Sequence, residues 1–233
     1  ESDTVFFGGG VESTRIVSGT SMPAAYLDFA RVYGVRSLSV PLTIGWTRDD
    51  RDSALVPNVG RLQRLQSEWG VGGDTRYLRA NYQFQQYIPL NRQFTVAFNA
   101  DVGWGKGLGG RPFPVFKNFF GGGLGSVRGF DQGTLGARDI TGSFIGGPKK
   151  LGFNTEVLAP FPGAGNDRTL RVFGFLDVGN VYGESDKVDL SQMRASVGVG
   201  LSWISPVGPL RIAYANPVRK FAGDRIQKIQ FQI

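Results

Sequence analysis

The 233 residues include no histidine and no cysteine, which excludes a Ser-His-Asp or Cys-His relay, a disulfide framework, and zinc or haem sites built on those ligands. Thirty-five glycines, eighteen phenylalanines, seven tyrosines and four tryptophans describe strands, tight turns and aromatic surface, not long amphipathic helices. The formal charge of +7 comes from scattered residues with no basic stripe, so nucleic acid is not an expected partner. No run approaches the ~18 apolar residues of a spanning helix, and no signal peptide opens the chain. The start already reads as a strand, so a processed piece with its natural N-terminus upstream is expected.

In chain order, a first strand is predicted near Val5 to Val17, then a short loop helix over Ala24–Arg31. From Leu38, the residues Leu38, Val40, Leu42, Ile44 and Trp46 share one strand face, and Ser37, Ser39, Thr43 and Thr47 the other. Asp49, Asp50 and Asp52 follow, interleaved with Arg48 and Arg51; the arginines favour a solvated rim turn over a calcium site. A weak strand runs from Arg61 to Trp69. Beyond it, two long strands from Tyr77 and Gln93 form a hairpin through Leu90-Asn91-Arg92. Their apolar faces carry Leu78, Tyr82, Phe84 and Ile88, then Phe94, Val96, Phe98 and Trp104. Gln86 is out of place on the first, and Ala97 and Gly103 soften the polar face of the second.

Gly105 to Gly110 satisfies G-x-G-x-x-G, but Arg111-Pro112-Phe113-Pro114 follows instead of a helix, so these are expected to be loop glycines and not a dinucleotide site. A long loop spans about 105–148. Its glycine-rich centre holds Val127, Arg128, Gly129 and Phe130. A guanidinium keeps its charge and offers five donors in a rigid fork, so if this loop folds inward Arg128 needs a carboxylate. Two acids fall on polar strand faces downstream. Glu156 opposes Leu151, Phe153 and Val157, and Asp177 opposes Leu170, Val172, Leu176 and Val178. Further strands are predicted near 194–204, 210–216 and 226–233, about ten in all.

Connections alternate between short (91–92, 162–167, 206–208) and long (105–148, 182–193, 218–225), as at the two rims of an outer-membrane barrel. A soluble sandwich also alternates, but Arg79, Asp101, Glu156, Arg171 and Asp177 on the polar faces suit a wet lumen, and Trp46, Trp104 and Trp203 lie near strand ends as girdle residues do. The fold expected is all-β, an antiparallel transmembrane β-barrel.

The runs Pro114-Val115-Phe116-Lys117-Asn118-Phe119-Phe120-Gly121-Gly122-Gly123 and Ser126-Val127-Arg128-Gly129-Phe130 resemble the sixth extracellular loop of the BamA family of outer-membrane protein assembly factors. Phe175-Leu176-Asp177-Val178-Gly179 resembles that family's F-x-D-x-G strand, and Ser205-Pro206-Val207-Gly208-Pro209-Leu210-Arg211 its penultimate hairpin. The resemblance covers nearly the whole chain. It implies about the last ten strands of a sixteen-stranded barrel, preceded in the family by periplasmic POTRA domains and opening strands absent from residues 1–233. It further implies that Arg128 meets Asp177, with Glu156 as a second candidate, and that the last strand, carrying Ile226, Ile229, Phe231 and Ile233, borders a lateral seam. Implied partners are unfolded outer-membrane β-barrel proteins, outer-membrane lipids and accessory lipoproteins. No cofactor, metal or catalytic residue is expected. A two-partner secretion transporter or a TamA-like translocation subunit would share loop and barrel; a passive porin would share only the strands.

Overall fold

The computed structural model describes residues 3–17, 19, 22–163, 169–206 and 208–232. Period-two alternation gives each long strand two unlike faces, and ladder bonding between neighbours joins them into one antiparallel sheet. Its opening strands are β1 (Asp3–Gly9), β2 (Glu12–Arg15), β3 (Arg36–Asp49), β4 (Gly60–Gly73), β5 (Tyr77–Pro89) and β6 (Thr95–Gly107). After the long loop come β10 (Lys149–Pro160), β11 (Leu170–Tyr182), β12 (Arg194–Ser205) and β13 (Gly208–Arg219). The loop itself contains the short strands β7 (Gly129–Phe130), β8 (Ala137–Arg138) and β9 (Phe144–Gly146), and the chain closes with β14 (Ile226–Gln227) and β15 (Ile229–Gln232). The sheet order is β1-β3-β4-β5-β6-β10-β11-β12-β13-β15, with β2 sharing the first position beside β3. Ten positions result, as the periodicity predicts.

The outer face is a continuous apolar band. Leu42, Ile44, Leu65, Phe98, Phe153, Leu176, Val199 and Ile212 are all exposed on it, far more apolar surface than water tolerates on a monomer. Strands of 12 to 14 residues, tilted as in barrels, cover about 30 Å of hydrocarbon. Trp104 stands near the long-loop rim, and Trp46 and Trp203 near the short-turn rim. No described helix is long and apolar enough to cross a membrane.

Several expectations change in detail. The strand predicted near Val5 to Val17 is two pieces, both paired with β3. The predicted helix forms as α1 (Ala24–Tyr33), packed by Phe29 against Phe116 of the long loop. Gly105 and Gly107 end β6 instead of lying in the loop. Gln86 tolerates its apolar face because its amide donates to the Gly60 carbonyl near the rim. The aspartates at 49 and 50 pair with Arg51 and Arg48 of their own turn. That turn, residues 50–59, sits at the short-turn rim and reaches Arg171, whose guanidinium donates to the carbonyls of Val56 and Pro57 and to Asn58. The expected 162–167 turn and Val207 of the 206–208 turn fall partly outside the described residues, as does Ile233.

The largest correction concerns the last strand. Among the described residues only Ile229–Gln232 pair with β13; Ile226 and Gln227 leave the wall and pair with Phe130 and Gly129 of the loop. Ile226, expected on the last wall strand beside Ile229 and Phe231, therefore does not lie on it. The break at Lys228 is bridged by its carbonyl, which accepts from the Ala215 amide.

Leu176 lies at the middle of β11 on the lipid face, so in the complete protein Leu176→Arg should cost about 2–4 kcal/mol of unfolding free energy measured in vesicles. Gln83→Arg, on the lumen face of β5, should stay within about 1 kcal/mol.

Candidate functional site

The long loop folds into the lumen and places Arg128 against the inner faces of β10 and β11. Arg128 is 1% exposed and Asp177 is fully buried, so the fork must be matched donor by donor. Nε donates to Asp177 Oδ2 at 2.6 Å and Nη2 to Oδ1 at 2.5 Å, a bidentate pair. The backbone amide of Arg128 also donates to Oδ2, at 2.9 Å. Nη1 turns to Glu156 Oε1 at 2.6 Å.

The acids are held in turn. Asn154 donates to Asp177 Oδ1 at 2.9 Å and to the Ser126 carbonyl at 2.7 Å, while Asn99 donates to Asn154 Oδ1 at 2.8 Å. Glu156 accepts both of its bonds from Arg211 through Nη2, each 2.6 Å. Two guanidiniums thus face two carboxylates, and the cluster is formally neutral. Burial alone would weaken the charge of Arg128, but the Asp177 bonds and the field of Glu156 outweigh it and hold the guanidinium pKa above its ordinary value.

Aromatic rings complete the seat. The Arg128 guanidinium lies 3.6 Å from the Phe175 ring centre, and that of Arg211 lies 4.4 Å from the Phe173 ring centre. Those inward rings need room. Gly198 and Gly200, their register partners on β12, provide it: a Cβ at Gly198 would overlap Phe175, and one at Gly200 would overlap Phe173. Ala213 and Ala215 extend the same small-residue surface on β13. The loop can therefore press close. Gly129 requires glycine twice over, with φ at +87° and an added Cβ only 3.1 Å from Ala215.

The structure thus brings Val127, Arg128, Gly129 and Phe130 together with Asp177 and Glu156. Val127 and Phe130 pack with Leu135 in a small buried cluster under the loop. Ile229 and Phe231 project outward on β15, whereas Gln230 points in, accepting from the Gly129 amide at 3.4 Å and donating to the Phe130 carbonyl at 2.7 Å. Sequence reading missed Asn154, Phe173, Phe175, Arg211 and Gln230 as members of the site. The parity that nominates Asp177 also puts Phe173 and Phe175 inside, and that was the available signal. A cavity of about 240 Å3 adjoins the cluster, lined by Gln83, Gln85, Arg128, Glu156 and Arg211. It shows no nucleophile beside a base, and among the described residues no acidic group is arranged to hold a metal ion.

With this geometry in hand, the chain matches the Omp85 superfamily domain over residues 1–233. It is 34% identical to the outer membrane protein assembly factor BamA of Neisseria meningitidis serogroup B, an alignment covering all of this chain and 34% of that protein. A BamA from Nitratidesulfovibrio vulgaris is 31% identical over 75% of the chain and 22% of its own length. Human sorting and assembly machinery component 50 homolog is 28% identical over 82% of the chain and 44% of its own. The crystal structure of Haemophilus ducreyi BamA lacking POTRA domains 1–3 superposes with a TM-score of 0.85 at 22% identity, covering 99% of this chain and 54% of that one. The chain thus spans about a third of the length of the meningococcal relative.

In the complete protein, Phe175→Leu removes the ring beneath a desolvated guanidinium and should cost about 2 kcal/mol in denaturant unfolding. Phe153→Leu, on the lipid face, should cost less than about 1 kcal/mol.

Proposed function

The chain belongs to the Omp85 superfamily, and from that premise we propose that it is the C-terminal barrel portion of an outer-membrane protein assembly factor acting on unfolded β-barrel proteins. It is a transmembrane β-barrel protein of the bacterial outer membrane. In this reading the missing barrel strands and the periplasmic domains precede it in a longer chain. The work is folding and insertion with no covalent step. Every unpaired N–H and C=O of an incoming strand is costly in lipid, so a client strand needs a sheet edge to pair with.

One observation carries the proposal: the final strands are tied to the loop as well as to the wall. Among the described residues β15 pairs with β13 over Ile229–Gln232. β15 takes the last position in the sheet order, and an edge there suits a lateral seam. Ile226, Gln227 and Gln230 bind the same loop segment that Arg128 pins to β10 and β11. The inward arginine then acts as a latch. It fixes the loop, and through it the position of the last strand.

A double-mutant cycle tests the latch. Each of Arg128→Ala and Asp177→Ala strands a buried charge, at roughly 3–5 kcal/mol. Client insertion into vesicles by the complete protein should fall sharply in each single variant, and the double variant should be no worse than the poorer single. Additive losses would mean that the two residues do not act as a pair.

A further inference from the structure

Loop residues before the latch make a second set of contacts that the latch does not use. Lys117, in the short 3-10 turn Val115–Lys117, lies 2.8 Å from Glu12 Oε2 and 2.9 Å from Glu68 Oε1. Tyr77 donates its hydroxyl to the same Glu68, and the Lys117 ammonium lies 5.5 Å from the Tyr77 ring centre. Arg79 donates through Nε to the Lys117 carbonyl at 3.0 Å and covers the Phe119 ring at 4.1 Å. Phe113 meets Tyr77 edge-on at 6.0 Å. The side chains of Lys117 and Glu68 are 15% and 19% exposed, so the pair is more than a solvated surface bridge. Burial alone would lower the Lys117 pKa, but its bonds to Glu12, Glu68 and Tyr77 hold it above the ordinary value.

The wall is shaped to receive this part of the loop. A Cβ at Gly103 would come within 2.8 Å of the Phe119 ring, and one at Gly105 within 2.5 Å of the Phe113 ring. These glycines lie on the inner face of β6, and Gly70 on β4 clears the Tyr77 ring in the same way. The construction repeats that of the latch with a half-buried cation in place of a buried one: a cation between two carboxylates, a ring beneath an arginine, and glycines opposite the rings. The two stations hold different sectors. Lys117 ties to β2 and β4 and abuts β5, whereas Arg128 ties to β10 and β11; in sheet order β4 and β11 are separated by β5, β6 and β10.

From this juxtaposition we infer that the long loop is a tie across the arc from β4 to β11, fastened at both ends, and that Lys117 is the positioning residue of its second end. A tie fixed at one end lets the wall flex. Fixed at both, it holds the curvature of those strands, so that deformation of the barrel is confined to its edges. The link to activity rests on the assembly reading above; the docking does not.

The test uses the complete protein in phospholipid vesicles, with amide hydrogen exchange of the loop root (113–121) and tip (126–131) followed beside the client insertion rate. Lys117→Met should speed exchange at the root by about tenfold, leave the tip protected and slow insertion several-fold, and Lys117→Arg should restore both. Glu12→Gln, at the more exposed acid, should give the same pattern more weakly and serves if Lys117→Met does not fold. Unchanged root exchange, a tip that opens together with the root, or an open root with normal insertion would each overturn the tie. If the root opens as expected but neither Lys117→Met nor Arg128→Ala slows insertion, the docking stands and the assembly reading falls.

Discussion

A cation that cannot be neutralised, placed where water does not reach, governs this structure. Burying Arg128 without partners would cost more than the whole stability of a typical domain, so the side chains around it supply acceptors to all three guanidinium nitrogens and to the adjacent backbone amide. Asp177 takes the fork edge-on, Glu156 takes the remaining amino group, and Arg211 returns charge balance to Glu156. The consequences spread outward. Phe175 must lie flat beneath the guanidinium, Gly198 must leave that ring space, and Gly129 must let the loop pass Ala215. Little of this stabilises much beyond the cost of burial, since buried ion pairs often only break even. What it supplies is uniqueness, because a loop displaced by one residue would leave charges unpaired.

The wall shows the opposite logic on its two faces. Toward lipid, selection is only for apolar bulk, and Leu42, Phe98, Leu176 and Ile212 are exposed without partners. Toward the lumen, side chains are fitted to one another over long sequence separations, as Asn99, Asn154 and Asp177 are across three neighbouring strands. The interior is not simply wet: Ala97, Leu158, Phe173, Phe175, Ala213 and Ala215 form an apolar cluster within it. The loop and this cluster leave the lumen plugged and partly dry.

Much of this was legible from residue order. Period-two alternation located the long strands, and parity placed Asp177 and Glu156 on the side to which Arg128 turns. Parity also placed Phe173 and Phe175 there, but an aromatic residue reads as lipid-facing until something polar is known to stack on it. Ala97 and Gly103 seemed to dilute a polar face, yet a missing side chain is the requirement where Phe119 must fit. The split of the last strand at Lys228 is legible only as a slip of phase. Gln227 and Lys228 put Ile226 out of phase with Ile229 and Phe231, but only the arrival of Gly129 and Phe130 gives Ile226 and Gln227 a different ladder. The reach of the 50–59 turn to Arg171 is hidden for the same reason, since its bonds are to backbone carbonyls that carry no sequence signature.

The central claim, that carboxylates hold the loop tip inside the lumen, is open to direct chemical measurement because the chain has no native cysteine. Val127, 1% exposed beside Arg128, can be replaced by Val127→Cys in the complete protein, with any cysteine outside these 233 residues changed to serine, and titrated with a water-soluble thiol reagent. Labelling should be slow in that background and at least about a hundredfold faster when Asp177→Ala is added, in keeping with the loss of a buried ion pair. Rapid labelling with Asp177 intact, or equal rates with and without it, would contradict the account.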